Sequence, residues 1–358
     1  MAKNILFSAY SLDVGGIETA LITLLKQINK NYNITLVLEK NEGIFLKDLP
    51  KNINLITYIP SSNKNILFRK LCNFLKQQKF KLKYKNKFDF AACYATYSYS
   101  SAFIARNASK KSCLWVHNDY LNFFNKNIKE YKNFFNKLQV TKFKKIVFVS
   151  KNDKNIFLES FPNLDEECIF CNNLIDYNKI IEKSKESISD FNKQEKMITF
   201  INIGRHDEKQ KKLSRIINAS KRLHEEGYKF NVIFVGDGTD NLKYIEQAKD
   251  DPNIIFLGVK KNPYPYLAQS DCFIMSSDYE GYPVVFIESQ ILGKPIITTD
   301  VSDAKKDIKD KYGIIVEKSE EGIYIGMKQF LKNGFVTTKF DPEEFNEDIL
   351  EKLNRIID

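Results

Sequence analysis

The chain has 358 residues, of which 43% are hydrophobic and 13% aromatic, and this excludes a disordered polyelectrolyte. Its length suggests two domains, since single cores stop growing near about 250–300 residues. The net charge of +10 is uneven: residues 51–150 hold 20 basic and 3 acidic side chains, the other 258 hold 35 and 42, and a basic block of this kind points to nucleic acid, a membrane surface or an anionic ligand.

The amino terminus, MAKNILFSAY, reads as a first strand and lacks a signal-peptide core. Apolar runs predict strands at Asn4–Phe7, Ile34–Leu38, Leu55–Tyr58, Phe88–Cys93, Leu114–Val116 and Ile146–Val149. A second set follows at Ile198–Ile203, Val232–Val235, Ile254–Leu257, Cys272–Met275, Ile296–Thr298 and Ile314–Val316. Amphipathic stretches such as Thr19–Ile28, Leu213–Glu226 and Val284–Leu292 lie between them. Alternation of this kind argues for an α/β chain with parallel sheets covered on both faces. Twelve strands divide into two doubly wound, Rossmann-like domains facing a cleft.

The polar stretch Ile175–Met197 marks the break, giving expected domains of 1–175 and 176–341. A closing helix, 342–358, starts at Asp341-Pro342 and is expected to pack back on the first domain. No apolar run approaches the roughly 18–20 residues of a membrane span. Six irregularly spaced cysteines suggest buried thiols and a reducing cytoplasm. Cys168-Ile169-Phe170-Cys171 has metal or redox spacing, but its apolar middle fits a strand and no second pair completes a site.

In Ser276-Ser277-Asp278-Tyr279-Glu280-Gly281-Tyr282-Pro283, a strand ends, a turn follows, and Pro283 is expected to open a helix that Gly293 closes. The free amides of Val284 and Val285 then form an anion site with the helix dipole behind it. Glu280 lies just before these amides and Glu288 about five residues inside the helix, roughly 7.5 Å along its axis. A phosphate on the amides would leave Glu280 facing sugar hydroxyls and Glu288 facing a ribose. Gly204-Arg205 follows an earlier strand, and Lys209, Lys211 and Lys212 crowd the mouth of the next helix. Fixed Arg and Lys side chains there can stabilise a diphosphate leaving group without a metal. Gly15-Gly16 lies between the first strand and helix, where backbone can approach a ligand closely or simply turn. His117 comes directly off a strand end, a position for a capping, core or site residue.

The Glu280–Glu288 spacing resembles the E-x7-E hallmark of the retaining GT-B glycosyltransferases of family 4. Gly236-Asp237-Gly238, Phe256-Leu257-Gly258 and Gly293-Lys294-Pro295-Ile296-Ile297 are similar to segments of that family. The likeness is strong over 200–300 and weaker, motif by motif, over 1–180. It implies transfer of a sugar from a nucleotide-sugar to a saccharide acceptor in cell-surface polysaccharide synthesis. It implies that Glu280 grips the sugar, Glu288 the ribose, and Arg205 with a lysine the diphosphate; counting back from Ala219 selects Lys211. The amides of Gly281, Val284 and Val285 would assist. His117 would face the transferred sugar, and Gly15 and Gly16 would meet donor phosphate or acceptor. No cofactor is implied, and the absence of D-x-D disfavours a metal-dependent design.

Between Ser61 and Phe88 there are nine basic residues and no acid, with Ile66, Leu67, Leu71, Phe74 and Leu75 at helical spacing. Phe123–Lys145 adds seven lysines among Phe124, Phe134 and Phe135. Basic amphipathic segments suit an anionic membrane. Stretches 61–88 and 123–145 are therefore expected to face a lipid surface carrying a lipid-linked acceptor, at the cytoplasmic side of the plasma membrane. No nucleic-acid-binding motif accompanies the charge. Rival readings are a sugar-nucleotide epimerase or phosphorylase on the same fold, and an inactive membrane-docked scaffold.

Overall fold

The computed structural model describes residues 2–13 and 15–358; Met1 and Val14 lie outside the described residues. The chain divides into two units, Met1–Ile175 with Phe345–Asp358, and Asp176–Glu344.

The first unit holds β1 (Asn4–Ala9), β2 (Asn33–Leu38), β3 (Asn54–Thr57), β4 (Phe90–Cys93), β5 (Ser112–Val116), β6 (Lys145–Phe148) and β7 (Cys168–Phe170). They form one parallel sheet in the order β3-β2-β1-β4-β5-β6-β7. The second holds β8 (Ile198–Ile203), β9 (Phe230–Val235), β10 (Ile254–Gly258), β11 (Cys272–Met275), β12 (Ile296–Thr299) and β13 (Gly313–Val316). Its order is β10-β9-β8-β11-β12-β13, again parallel. Both sheets are doubly wound, and the strand absent from the expected twelve is β7, within the Cys168–Cys171 segment.

The apolar strands follow from burial on both faces. In the second sheet Phe200, Val232, Phe234 and Ile274 pack on one side, while their neighbours Ile201, Ile233, Val235 and Phe273 pack on the other. Each such side chain contributes roughly 1.5–3 kcal/mol when fully buried. All six cysteines are unpaired, and burial pushes the Cys168 and Cys171 thiols up to about 12, leaving them neutral and inert. Among the described residues, no helix is long and apolar enough to cross a membrane.

Helix Pro342–Ile357 opens on Asp341, whose carboxylate accepts from the amides of Glu343 (3.0 Å) and Glu344 (3.2 Å). It buries Ile349, Leu353, Ile356 and Ile357, and Asn346 bonds both backbone groups of Ile175 (3.1 and 2.8 Å).

Asn65 caps helix Ile66–Tyr84, in which only Phe80 is buried. Ile66, Leu67 (78% exposed), Leu71, Phe74, Leu75 and Leu82 (88%) all face outward beside its lysines. These apolar residues are therefore not core. The second basic stretch differs from expectation. In helix Ile128–Lys137, Phe135 is fully buried with Tyr131, and Phe124 and Phe134 pack on the same aromatic cluster. These four aromatics are committed to the core, so the apolar surface that 123–145 leaves exposed beside its lysines is limited to residues such as Phe123 and Ile128.

Candidate active site

In the second unit the strand order reverses beside β8 and β11, so the loops following these two strands meet at the carboxyl edge where open α/β sheets bind ligands. The loop after β8, residues 204–212, runs tightly against the turn after β9. Gly204 donates to Val235 (3.0 Å), His206 to Asp237 (2.9 Å), and Asp240 returns a bond to His206 (3.2 Å). A Cβ on Gly236, where φ is +149°, would lie 1.8 Å from the Gly204 carbonyl oxygen, and one on Gly238 would lie 2.2 Å from that of His206. The Gly-Asp-Gly segment thus exists here to let two backbones pass.

Asp207 organises the rest of the loop, its carboxylate accepting from the amides of Lys209 (2.8 Å) and Gln210 (3.3 Å). Ser276 then donates to the carbonyls of Lys211 (2.9 Å) and Lys212 (2.8 Å), tying the end of β11 to this loop. Lys212 adopts a left-handed conformation (φ 52°) just before helix Leu213–Glu225. From that helix Arg215 donates to the Ser276 carbonyl (3.0 Å) and to Asp278 (2.7 Å).

The functional side chains converge on this frame. Lys211 Nζ lies 2.7 Å from Glu280 Oε1, and Glu280 is 8% exposed. Lys212 sits 3.9 Å from Asp278 instead, so Lys211 is the lysine that reaches Glu280. Arg205 Nη2 donates to Gln210 Oε1 (3.0 Å), and its side chain is otherwise largely open to solvent. Helix Val284–Ile291 follows, one residue later than expected. Pro283 has an extended ψ of 116° and stands before the first turn, where its fixed φ still suits the helix entry. Phe286 bonds back to the Pro283 carbonyl (3.0 Å), while Val284 and Val285 begin the helix without intrahelical acceptors. Gly293, at φ +64°, ends it. Ser302 donates to the Gly281 carbonyl, holding the turn at the helix entrance.

Residues 198–354 match the family described as "Glycosyl transferases group 1". An uncharacterized glycosyltransferase of Methanocaldococcus jannaschii is 30% identical over 256 residues, 68% of this chain and 59% of that protein. The N-acetylgalactosamine-N,N'-diacetylbacillosaminyl-diphospho-undecaprenol 4-alpha-N-acetylgalactosaminyltransferase of Campylobacter jejuni is 25% identical over 90% of this chain and 89% of its own length. Among solved structures, Anabaena HepE in complex with UDP and glucose shares the fold with a TM-score of 0.76 at 17% identity, covering 98% of this chain and 99% of that one. Over residues 198–354, most of its second unit, the chain is similar to the group 1 glycosyltransferases. Its two parallel-sheet α/β domains are the GT-B fold.

In the second unit Glu288 lies within helix Val284–Ile291 and accepts a hydrogen bond from the Tyr264 hydroxyl (3.1 Å). Burial pushes the Glu288 carboxyl up to about 7, and the Tyr264 bond offsets only part of that. Tyr264, Gln210, Arg215 and Asp278 carry the framework, and none was singled out by sequence reasoning. The one available signal was the Asn262-Pro263-Tyr264-Pro265 run, whose prolines fix the approach to helix Tyr264–Gln269.

His117 and the Gly15-Gly16 turn belong to the first unit. His117 follows β5, buried, with neither ring nitrogen hydrogen-bonded and the Tyr94 ring 4.5 Å away. Burial lowers it to about 3, so the imidazole is neutral. Gly15 precedes helix Gly16–Ile28 in an extended conformation, and a Cβ there would lie 2.2 Å from the Glu18 carboxylate. Only the flexible end of the Glu18 side chain would have to move to admit that Cβ, so the fold of the helix does not by itself demand glycine here. Among the described residues no cluster of three or more His, Cys, Asp or Glu side chains could hold a metal.

Proposed function

We propose that this glycosyltransferase moves a sugar from a nucleotide-sugar to a lipid-linked saccharide with retention, drawing its positive charge from side chains and amides rather than from a bound metal. The observation that carries this reading is the Lys211–Glu280 pair beside Arg205 at the entrance of helix Val284–Ile291. A cation, a carboxylate and helix amides within one loop frame match the three needs of a nucleotide-sugar: diphosphate neutralised, sugar hydroxyls accepted, and leaving-group charge stabilised. Glu288 accepts ribose hydroxyls.

In the reaction, the bond between the anomeric carbon and the β-phosphate oxygen breaks. The acceptor hydroxyl forms its new bond on that same face and gives its proton to the departing phosphate. Arg205, Lys211 and the amides of Gly281, Val284 and Val285 hold the growing negative charge. Within the first unit, the neutral ring of His117 and the Gly15-Gly16 turn are the residues we assign to recognition of sugar and acceptor.

Two relatives support the donor and acceptor classes: the Campylobacter enzyme's name specifies a diphospho-undecaprenol-linked saccharide, and HepE was solved with UDP and glucose. The exposed apolar and basic face of helix Ile66–Tyr84 supports an anionic lipid surface as partner, at the cytoplasmic side of the plasma membrane.

The test begins with a thermal-shift panel of nucleotide-sugars, since ligands of the folded state raise its melting temperature. Turnover of the best donor is then followed with a diphosphate-linked lipid saccharide, and the product anomer is read by NMR. Retained configuration, with turnover lost in Glu280→Ala and Lys211→Ala, is expected. Wild-type nucleotide release by both variants would overturn the assignment, and an inverted product would overturn the stereochemistry.

A further inference from the structure

We propose that Gln210 is a positioning residue that holds Arg205 and Glu280 in one arrangement, so that recognition of the diphosphate and of the sugar depends on a single carboxamide. The inference rests on the donor reading above and deepens it.

Gln210 is 7% exposed and uses its polar groups across two loops. Its Oε1 accepts from Arg205 Nη2 at 3.0 Å, while its Nε2 donates to the Tyr279 carbonyl at 3.1 Å and reaches Glu280 Oε2 at 3.4 Å. Its backbone is fixed as well: the amide donates to Asp207 at 3.3 Å and the carbonyl accepts from Asp278 at 2.9 Å.

The chemistry at this point is restrictive. One side presents a guanidinium, which needs an acceptor. The other presents a carboxylate and a carbonyl, which need a donor. A neutral amide supplies both, whereas a carboxylate or an ammonium supplies only one. Neutrality matters equally. The other acid near Arg205 is Asp207, at 3.8 Å, and a guanidinium closed onto it would be neutralised before a diphosphate arrives. Gln210 orients Arg205 without cancelling its charge, and the same group keeps Glu280 Oε2 directed while Lys211 takes Oε1 at 2.7 Å.

Substitution with glutamate gives a specific test, because an ionised glutamate still accepts from Arg205 but donates nothing to Tyr279 or Glu280 and cancels the guanidinium charge. The full chain is compared as wild type, Gln210→Glu, Gln210→Ala and Arg205→Ala, with thermal melts confirming folding. UDP is titrated calorimetrically at pH 7.5 and pH 5, or the nucleoside diphosphate that stabilises the wild type if UDP does not. Gln210→Glu should weaken binding by about tenfold at both pH values, and more than Gln210→Ala does, because a carboxylate paired with Arg205 stays ionised at pH 5 and cancels the guanidinium charge. Gln210→Ala should weaken binding at both pH values and lower kcat with the nucleotide-sugar. Affinities of both Gln210 variants within twofold of wild type, alongside a large loss in Arg205→Ala, would overturn the inference and leave the donor reading intact. A loss in Gln210→Glu no greater than that in Gln210→Ala would mean that the neutrality of the side chain does not matter, would reduce Gln210 to a structural part and would also overturn it. An unaffected Arg205→Ala would overturn the donor reading itself.

Discussion

The Tyr264 hydroxyl donates to Glu288 Oε1 across 3.1 Å, giving a carboxyl that burial pushes up to about 7 a neutral donor. A carboxyl raised from 4.5 to about 7 in the folded state holds its proton there while the unfolded chain has lost it. The resulting stabilisation is complete below about pH 4.5 and is lost as pH rises through 7. Urea unfolding should therefore give wild type a lower stability at pH 8 than at pH 5 relative to Glu288→Gln, by up to about 3 kcal/mol. Parallel pH profiles for the two proteins would refute the assignment.

On the proposed reading, the same carboxyl governs nucleoside recognition. An ionised carboxylate accepts two ribose hydroxyls, whereas a protonated one has lost acceptor capacity. Nucleoside diphosphate affinity should rise between pH 6 and pH 8, after correction for phosphate ionisation. Tyr264→Phe removes the bond that favours the charged form, so the midpoint of that rise should move upward. Calorimetry across this range measures both effects, and an unmoved midpoint would remove Tyr264 from the account.

Lys211 and Glu280 should be strongly coupled. Removing the amine leaves a carboxylate that is 8% exposed without its cation, and Lys211→Met should cost about 2–3 kcal/mol. The double variant Lys211→Met/Glu280→Gln should recover part of that loss, because no charge is then left stranded. Denaturant melts of the four proteins in the cycle give the coupling directly. Additive losses would mean that the pair contributes nothing beyond its separate members.

Helix Ile66–Tyr84 should bind anionic vesicles. The variant Leu67→Ser/Leu71→Ser/Phe74→Ser should lose flotation with anionic lipid while retaining turnover of a water-soluble acceptor. High salt should release the wild type, because its lysines act through a screened field. Equal binding to purely zwitterionic vesicles would overturn the electrostatic part.

The sheets were legible because parallel strands buried on both faces are written as short apolar runs. Cys272–Met275 was read with its observed bounds, and Ile198–Ile203 likewise. The apolar middle of Cys168–Cys171 was read as fitting a strand, but β7 spans only three residues after Asp165-Glu166-Glu167 and so was not counted among the twelve. Phe134 and Phe135 were misread for the opposite reason: neighbouring lysines hid side chains that a helix of ten residues turns inward. The framework of the candidate site was illegible because its partners are remote in sequence. Arg215 meets Asp278 across 63 positions and Gln210 meets Glu280 across 70, and no local pattern encodes such pairs. The motif residues were found through spacing, whereas the residues that orient them required the fold.

The first unit is made of two pieces of chain, and its second piece is the end of helix Pro342–Ile357. During synthesis, all of the second unit leaves the ribosome before Ile349, Leu353, Ile356 and Ile357 are available for burial. The second unit is one continuous segment and can fold as soon as it emerges, while the first must wait with its packing incomplete. The domain begun first therefore cannot complete its packing until the helix that follows the second unit has also been made.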